Sequence, residues 1–219
     1  MKRFKKSWSI ALMGLLLMVV ASCLNLKQSP FSPVVKLTRS TTSPNAYYFT
    51  LRGASQNDSR WTCNQLGTCS NYTMGTCSGR LPGGCAVNAV WMLSTANRSV
   101  ATTPADLNRW LTNNGGYSGG CSIIWSRAAD FDGPYGLTWV GTNTLSSPTA
   151  LKSLLDSRYL IVAKSHRFSE HWVAVQPSYG GSGTDIRNFG YLDPWDGTCR
   201  IMGDGLVYVG VPLRVYRMQ

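Results

Sequence analysis

The chain has 219 residues, 43% of them hydrophobic, and carries a formal net charge of +11 at pH 7. This length is enough for one domain with a substantial core, and no segment after residue 23 is long and apolar enough to span a bilayer. The basic residues form no block and are not interleaved with aromatic residues, so the composition does not indicate a nucleic-acid-binding protein.

The first 22 residues have the layout of a secretory signal peptide. Four basic residues precede an apolar stretch from about residue 10 to residue 21, which is too short for a comfortable membrane span. Removing residues 1–22 takes away these four charges and no acidic residue, so the net charge of +11 falls to about +7. A basic protein of this kind suits the neighbourhood of anionic envelope polymers or lipid head groups.

The stretch ends in Val20-Ala21-Ser22-Cys23, which resembles the lipobox of bacterial lipoproteins. The resemblance implies that Cys23 is lipidated and becomes the mature N-terminus. It predicts a protein of the bacterial cell envelope that is anchored to the membrane by lipid. Ordinary secretion, with no role for Cys23, is the alternative.

Residues 23–45 are rich in serine, threonine and proline and show no periodicity, which is typical of a tether. Residues 46–219 are therefore expected to form the folded domain. It opens with a strand-like segment at residues 47–51, and a loop-rich region containing several cysteines follows.

Four helices are predicted in the middle of the chain. Residues 85–96 carry alanine, valine and leucine at spacings of three and four, which indicates one buried helical face. A helix over 103–114 has Thr103 as a cap and a proline in its first turn. Shorter helices are predicted at about 122–131 and after Ser147, which is again followed by proline.

Strand patterns follow residue 158. They are separated by turn-forming sequences rich in glycine, and they comprise YLIVAKS, HWVAVQ, RNFGYL, CRIM, LVYVGV and LRVYR. Helices first and strands second predict an α+β domain with segregated halves. In HWVAV, Trp172 and Ala174 are expected to face away from Val173 and Val175.

Three residues form a candidate catalytic group. Cys85 follows two glycines at the start of a predicted helix, His171 opens a strand, and Asp193 closes another. A helix N-terminus and a neighbouring imidazolium both lower the pKa of a thiol, and a carboxylate can orient the imidazole. Nucleophilic thiol catalysis needs this division of roles.

Five segments in this order resemble the peptidase C39-like family of papain-like cysteine hydrolases. They run from about residue 55 to residue 197 and comprise QNDSRW, GGCAVNAVWML, TPADLNRWLTNNGGY, HWVAV and YLDPWDG. The resemblance implies a papain-like α+β fold, with an N-terminal helical half that carries the cysteine and a C-terminal antiparallel sheet that carries the histidine and aspartate. It also implies peptide-bond cleavage without a cofactor.

The resemblance assigns a role to each matching residue. Cys85 matches the nucleophile, His171 the general base and Asp193 the orienting residue. Gln56 matches the glutamine that stabilises the oxyanion together with the backbone N–H of the cysteine. Because an additional cysteine-containing stretch follows Gln56, Gln65 stays open as a substitute, and Asp196 stays open in place of Asp193.

The other cysteines give the main argument against a free nucleophile. Six cysteines besides Cys23 could form three disulfides in an oxidising compartment, namely those at positions 63, 69, 77, 85, 121 and 199. A short bridge is expected within the cluster at 63–77, and Cys121 could pair with Cys199. There is no Cys-x-x-Cys spacing, so a zinc site is a poor alternative and no metal is expected.

The sequence therefore predicts a secreted or membrane-tethered cysteine hydrolase that acts on amide bonds of a peptide or peptidoglycan-like substrate. Trp172 and Trp195 adjoin the expected site and are candidates for lining a substrate groove. Two alternatives stay open. One is a peptidoglycan amidase or endopeptidase that uses the same triad, and the other is a non-catalytic envelope binding module in which Cys85 is locked in a disulfide.

Overall fold

A six-stranded antiparallel sheet is the largest part of the fold. The computed structural model describes residues 51–96, 98–133, 136–168, 170–203 and 207–219. The predicted signal peptide, the lipidation site Cys23, the tether and residues 47–50 lie outside these ranges. No helix among the described residues is long and apolar enough to cross a bilayer.

The described residues form eleven strands and four α-helices. In chain order they are β1 (Gln65–Leu66), β2 (Cys69–Thr73), β3 (Leu81–Pro82), α1 (Cys85–Ser94), α2 (Pro104–Asn113), β4 (Tyr117–Ser118), β5 (Ser122–Ile123), α3 (Trp125–Ala128), β6 (Leu137–Thr144), α4 (Pro148–Asp156), β7 (Tyr159–Ser165), β8 (His171–Tyr179), β9 (Phe189–Asp193), β10 (Thr198–Ile201) and β11 (Pro212–Met218). The large sheet has the order β10-β9-β8-β7-β11-β6. Strands β1–β3 and β4–β5 form two small separate sheets.

The prediction of a papain-like fold with a helical half is wrong, because the fold is mostly sheet. Helices α1 to α4 have only 10, 10, 4 and 9 residues. Helix α1 packs directly on the large sheet, where its buried residues share a core with Val162 and Ala174. Helix α4 covers the opposite face, where Leu151 packs with Val173 and Val175. The helices thus lie on both faces of the sheet and do not form a separate helical half of the domain.

Local signals at the helix starts are confirmed. The Thr103 side chain accepts a hydrogen bond from the backbone of Asp106, whose carboxylate accepts one in return from the Thr103 backbone. This reciprocal arrangement satisfies two N–H groups at the start of α2. Ser147 caps α4 in the simpler way, by accepting from the Ala150 N–H.

Three predictions about individual elements need correction. The helix expected at 122–131 is a short strand, β5, followed by the four-residue helix α3. The strand expected at LVYVGV is absent over residues 207–211, where Gly210 has a φ of 102° and the chain turns. Strand β6 was not predicted, and it forms an edge of the large sheet by pairing with β11.

Disulfides hold the loop-rich region that precedes α1. Cys63 pairs with Cys77, as the cluster predicted, and Cys69 pairs with Cys121 on the β4–β5 hairpin. The predicted pairing of Cys121 with Cys199 is therefore wrong, because Cys69 lies 5.4 Å from Cys121 between Cα atoms. Cys199 is itself disulfide-bonded, and Cys85 is a free thiol.

The glycine pair before Cys85 allows two backbone segments to touch. Gly84 donates its N–H to the carbonyl oxygen of Met74 at 2.9 Å. A Cβ atom on Gly84 would lie 2.7 Å from the Cα of Met74, and closer still to its carbonyl oxygen. A Cβ on Gly83 would lie 2.8 Å from a methyl group of Leu66. Glycine at both positions therefore fixes where helix α1 begins.

We predict that Gly84→Ala destabilises the protein by about 1–3 kcal/mol, because the added methyl must displace the Met74 backbone. Urea unfolding under non-reducing conditions measures the change. Gly190→Ala is a matched control, since its Cβ would meet its nearest neighbour at 3.4 Å, an ordinary van der Waals distance. Equal destabilisation by the two variants would contradict the steric explanation.

Candidate active site

The sulfur of Cys85 lies at the N-terminus of helix α1. Cys85 is the first residue of the helix, Gly84 is its N-cap, and no side chain caps the helix. The side chain is 8% exposed, and its Sγ lies 3.5 Å from the carbonyl oxygen of Glu170. The unpaired N–H groups of a helix N-terminus favour negative charge, so this position suits a thiolate.

The imidazole of His171 joins Cys85 to Asp193. His171 begins strand β8, directly opposite Ser165 at the end of β7, and is 3% exposed. Its Nε2 lies 2.7 Å from Oδ1 of Asp193, and the Cys85 side chain is close enough to the ring to raise its pKa. Since Nε2 faces the carboxylate, Nδ1 is the nitrogen left for the sulfur.

Several hydrogen-bond donors surround the carboxylate of Asp193. Asp193 closes strand β9 and is 1% exposed. Besides His171, it accepts hydrogen bonds from the Trp195 N–H at 2.9 Å and from Nη1 of Arg167 at 2.7 Å. Nη1 of Arg200 pairs with it at 3.2 Å. Burial acts to raise the pKa of Asp193, but the contacts with His171, Trp195 and Arg167 outweigh it and hold the pKa below its ordinary value.

The environment of His171 favours its protonated form. Burial acts to lower the pKa of the imidazole, but the hydrogen bond to Asp193 and the interaction with the Cys85 side chain outweigh it. Together they raise the pKa of His171 to about 9. At neutral pH the ring is therefore an imidazolium that can donate a proton.

Of the two candidate aspartates, only Asp193 is hydrogen-bonded to His171. Asp196 lies in the following turn, where its carboxylate accepts from the backbone and hydroxyl of Thr198 and pairs with Arg200. Asp196 therefore acts on the site only indirectly, through an arginine that it shares with Asp193.

Gln56 is positioned close to this group, whereas Gln65 is not. The backbone N–H of Gln56 donates to the carbonyl oxygen of Pro194 at 2.6 Å, and its own carbonyl oxygen packs against Gly75. The residue thus lies between the Asp193 turn and the segment that contacts Gly84. Its side chain is buried, with Oε1 making no hydrogen bond. Gln65 is exposed on strand β1, where its amide donates to the carbonyl oxygen of Gly67.

The two candidate groove tryptophans have different surroundings. Trp172 is 8% exposed and packs edge-on against Trp125 at 4.8 Å between ring centroids. Trp195 is half-buried, and its ring lies 5.0 Å from that of Phe168. Phe168 is 45% exposed and meets the His171 ring edge-on at 5.5 Å. Trp195 and Phe168 therefore border the candidate site at the surface, and Trp172 is packed within the core beside it.

Sequence reasoning missed three residues at the site, namely Arg167, Phe168 and Arg200. Arg167 and Phe168 belong to the connection between β7 and β8, and the pairing of these strands returns them to His171. Arg200 reaches Asp193 from β10, which is the neighbouring strand in the sheet. Nothing in the local sequence pattern identifies them. The described residues contain no cluster of three His, Cys, Asp or Glu side chains suited to a metal ion.

We predict that Asp193→Asn lowers the pKa of His171 by about one to three, because burial of the ring then acts without a carboxylate to oppose it. An NMR titration of the ring protons measures this. The chain has two histidines, so a His166→Gln variant assigns the signals. Asp196→Asn is the control and should change the titration far less. Equal effects of the two variants would contradict the geometry.

No protein-family model matches the sequence, and no curated protein matches it. The resemblance to the peptidase C39-like family therefore stays a prediction based on five short motifs. The chemical interpretation of the site depends on the described residues: a buried imidazole is hydrogen-bonded to a buried carboxylate, and a free sulfur lies close enough to raise the pKa of the ring.

Proposed function

We propose that the protein is a cysteine hydrolase that cleaves amide bonds, with Cys85 as the nucleophile, His171 as the proton carrier and Asp193 as the orienting carboxylate. One observation supports this most directly. A free thiol at a helix N-terminus lies close enough to an imidazole to raise the pKa of that ring, and one ring nitrogen is fixed by a buried carboxylate. A nucleophile, a base and an orienting carboxylate placed in this order are the groups that acyl transfer needs.

The first half of the proposed reaction forms a thioester. At neutral pH the proton is already on Nδ1 of His171, and the Cys85 sulfur attacks the amide carbonyl carbon as a thiolate to give a tetrahedral intermediate. The backbone N–H of Cys85 and the side-chain amide of Gln56 are the proposed donors to its oxyanion. The carbon–nitrogen bond then breaks, and the leaving nitrogen takes the proton from His171.

The second half regenerates the free Cys85 sulfur. Neutral His171 accepts a proton from water as the water oxygen attacks the thioester carbonyl. The carbon–sulfur bond breaks, the carboxylic acid product leaves, and the proton stays on His171 beside the released thiolate. Asp193 stays ionised throughout, because Arg167 and the Trp195 N–H stabilise its charge.

The proposed reaction fits more than one class of substrate. Peptides and the peptide bonds of peptidoglycan contain the same amide group, so both are substrates to test. The proposed lipid anchor at Cys23 would present the domain to envelope polymers. The binding-module alternative required Cys85 to be locked in a disulfide, and Cys85 is free among the described residues.

We predict that Cys85→Ala and His171→Ala each lower amide hydrolysis by about 10³-fold or more, and that Cys85→Ala keeps the native fold. New amino groups released from a mixed peptide pool and from purified peptidoglycan measure the activity. His166→Ala is the matched control, since His166 is exposed and stacks on Tyr208 at 4.5 Å. Undiminished hydrolysis by Cys85→Ala would refute the assignment. No hydrolysis of either substrate, with Cys85 unreactive toward iodoacetamide, would favour a binding module.

The raised pKa of His171 predicts how activity depends on pH. The imidazolium donates the proton to the leaving amine, and its population falls as pH rises through a pKa of about 9. Turnover should therefore be half-lost near pH 9 and reduced to about a tenth near pH 10. Initial rates measured between pH 6 and pH 10.5 test this. A rate that continues to increase through pH 10 would show that His171 is not the acid.

A further inference from the structure

A second group of side chains lies beside the proposed catalytic residues. Arg214 is on strand β11, and its guanidinium carbon lies 4.6 Å from the ring centroid of Trp172 and 5.3 Å from that of Trp125. The two indoles contact each other edge-on. The guanidinium therefore lies over two aromatic faces. The rings attract its positive charge, and contact with both of them limits how the guanidinium can rotate.

Arg214 has no carboxylate partner among the described residues. Its Nη1 donates to the carbonyl oxygen of the adjacent Leu213, and its Nε is buried without a hydrogen bond. Burial lowers the pKa of Arg214 from its ordinary value. Seven other described arginines do pair with aspartates, namely those at positions 60, 98, 109, 127, 167, 187 and 200. A half-buried cation without a counter-ion is unfavourable, and an anionic ligand would relieve it.

Strand pairing fixes where Arg214 lies relative to the proposed reaction. Trp172 directly follows His171 in β8, and it shares a core cluster with Cys85. In β7, Val162 pairs with Ala174 on one side and with Arg214 on the other. At about 4.8 Å per strand, Arg214 is roughly 10 Å across the sheet from Ala174, and His171 lies three residues, roughly 10 Å, along β8 from Ala174. An extended peptide covers the resulting diagonal of roughly 14 Å in about four residues.

We propose that Arg214, held by Trp125 and Trp172, binds a carboxylate of the substrate about four residues from the cleaved bond; this inference rests on the proposed hydrolase function. The carboxylate belongs either to an acidic side chain or to the C-terminus of the substrate. A guanidinium forms two parallel hydrogen bonds to a carboxylate, and the two indoles keep its plane in one orientation. A neutral amide in the same place leaves the charge of Arg214 unpaired.

Peptide pools that differ in one group test the inference. One pair of pools carries Glu or Gln at a single fixed position, and a second pair ends in a free carboxylate or an amide. We expect the native protein to show a kcat/KM at least about tenfold higher for one of the two acidic pools. In Arg214→Gln that ratio should fall to about one, while Arg214→Lys should keep part of it. The pair that shows the preference identifies the source of the carboxylate.

Arg217→Gln is the control on the same strand, because Arg217 stacks on Tyr159 and not on the two tryptophans. It should keep the native ratio, and matching melting temperatures should show that all variants are folded. Hydrolysis without any acidic preference in the native protein would overturn this inference and leave the proposed function standing. A preference that survives in Arg214→Gln would overturn it as well.

A binding measurement separates the inference from the proposed function. The Cys85→Ala protein is titrated calorimetrically with the acidic and neutral pools, with and without Arg214→Gln. Tighter binding of the acidic pool that is lost in Arg214→Gln supports the subsite, even where no hydrolysis is detected. Equal binding of acidic and neutral pools overturns it.

Discussion

At 1% exposure the carboxylate of Asp193 has lost nearly all of its water, and only hydrogen bonds keep it ionised inside the protein. The side chains that pair with it come from three different parts of the chain: His171 from β8, Arg167 from the connection before it, and Arg200 from β10. A buried charge that loses one partner is strongly destabilising, so these contacts must form together. The same contacts that keep Asp193 charged also hold the imidazole in one orientation toward Cys85. Stability and the proposed chemistry therefore depend on one carboxylate.

The position of the sulfur depends on a different constraint, which is the close approach of two backbone segments. Helix α1 begins where Gly84 touches Met74, and any side chain at position 84 would force the segments apart. The core beneath the helix then fixes its direction, since α1 shares a buried cluster with Val162 and Ala174 of the sheet. Because β8 is part of that sheet, His171 and Cys85 are positioned by one packed unit. The loop-rich region that carries Met74 is itself held by the Cys63–Cys77 bridge.

Sequence reasoning succeeded where the signal is local. Thr103 and Ser147 begin helices as their cap chemistry predicts, and HWVAV divides between the two faces of the sheet as its alternation predicts. It failed where distant segments decide the outcome. Strand β6 exists because it pairs with the C-terminal β11, and much of its surface is exposed, so no buried pattern marks it. The papain-like expectation failed for the same reason: local patterns indicated helices, but not that they cover both faces of a sheet. Arg167 and Arg200 reach Asp193 only through strand pairing.

The two arginines also bear on how well His171 could act as an acid. Alone, the carboxylate would have the imidazolium as its only charged partner. Arg167 and Arg200 also pair with Asp193, so its charge is shared between the ring and two guanidinium groups. The pKa of His171 is about 9, so the ring is protonated at neutral pH, as donation to a leaving amine requires. On this argument the arginines tune the proposed reaction through Asp193, without touching the sulfur or the substrate.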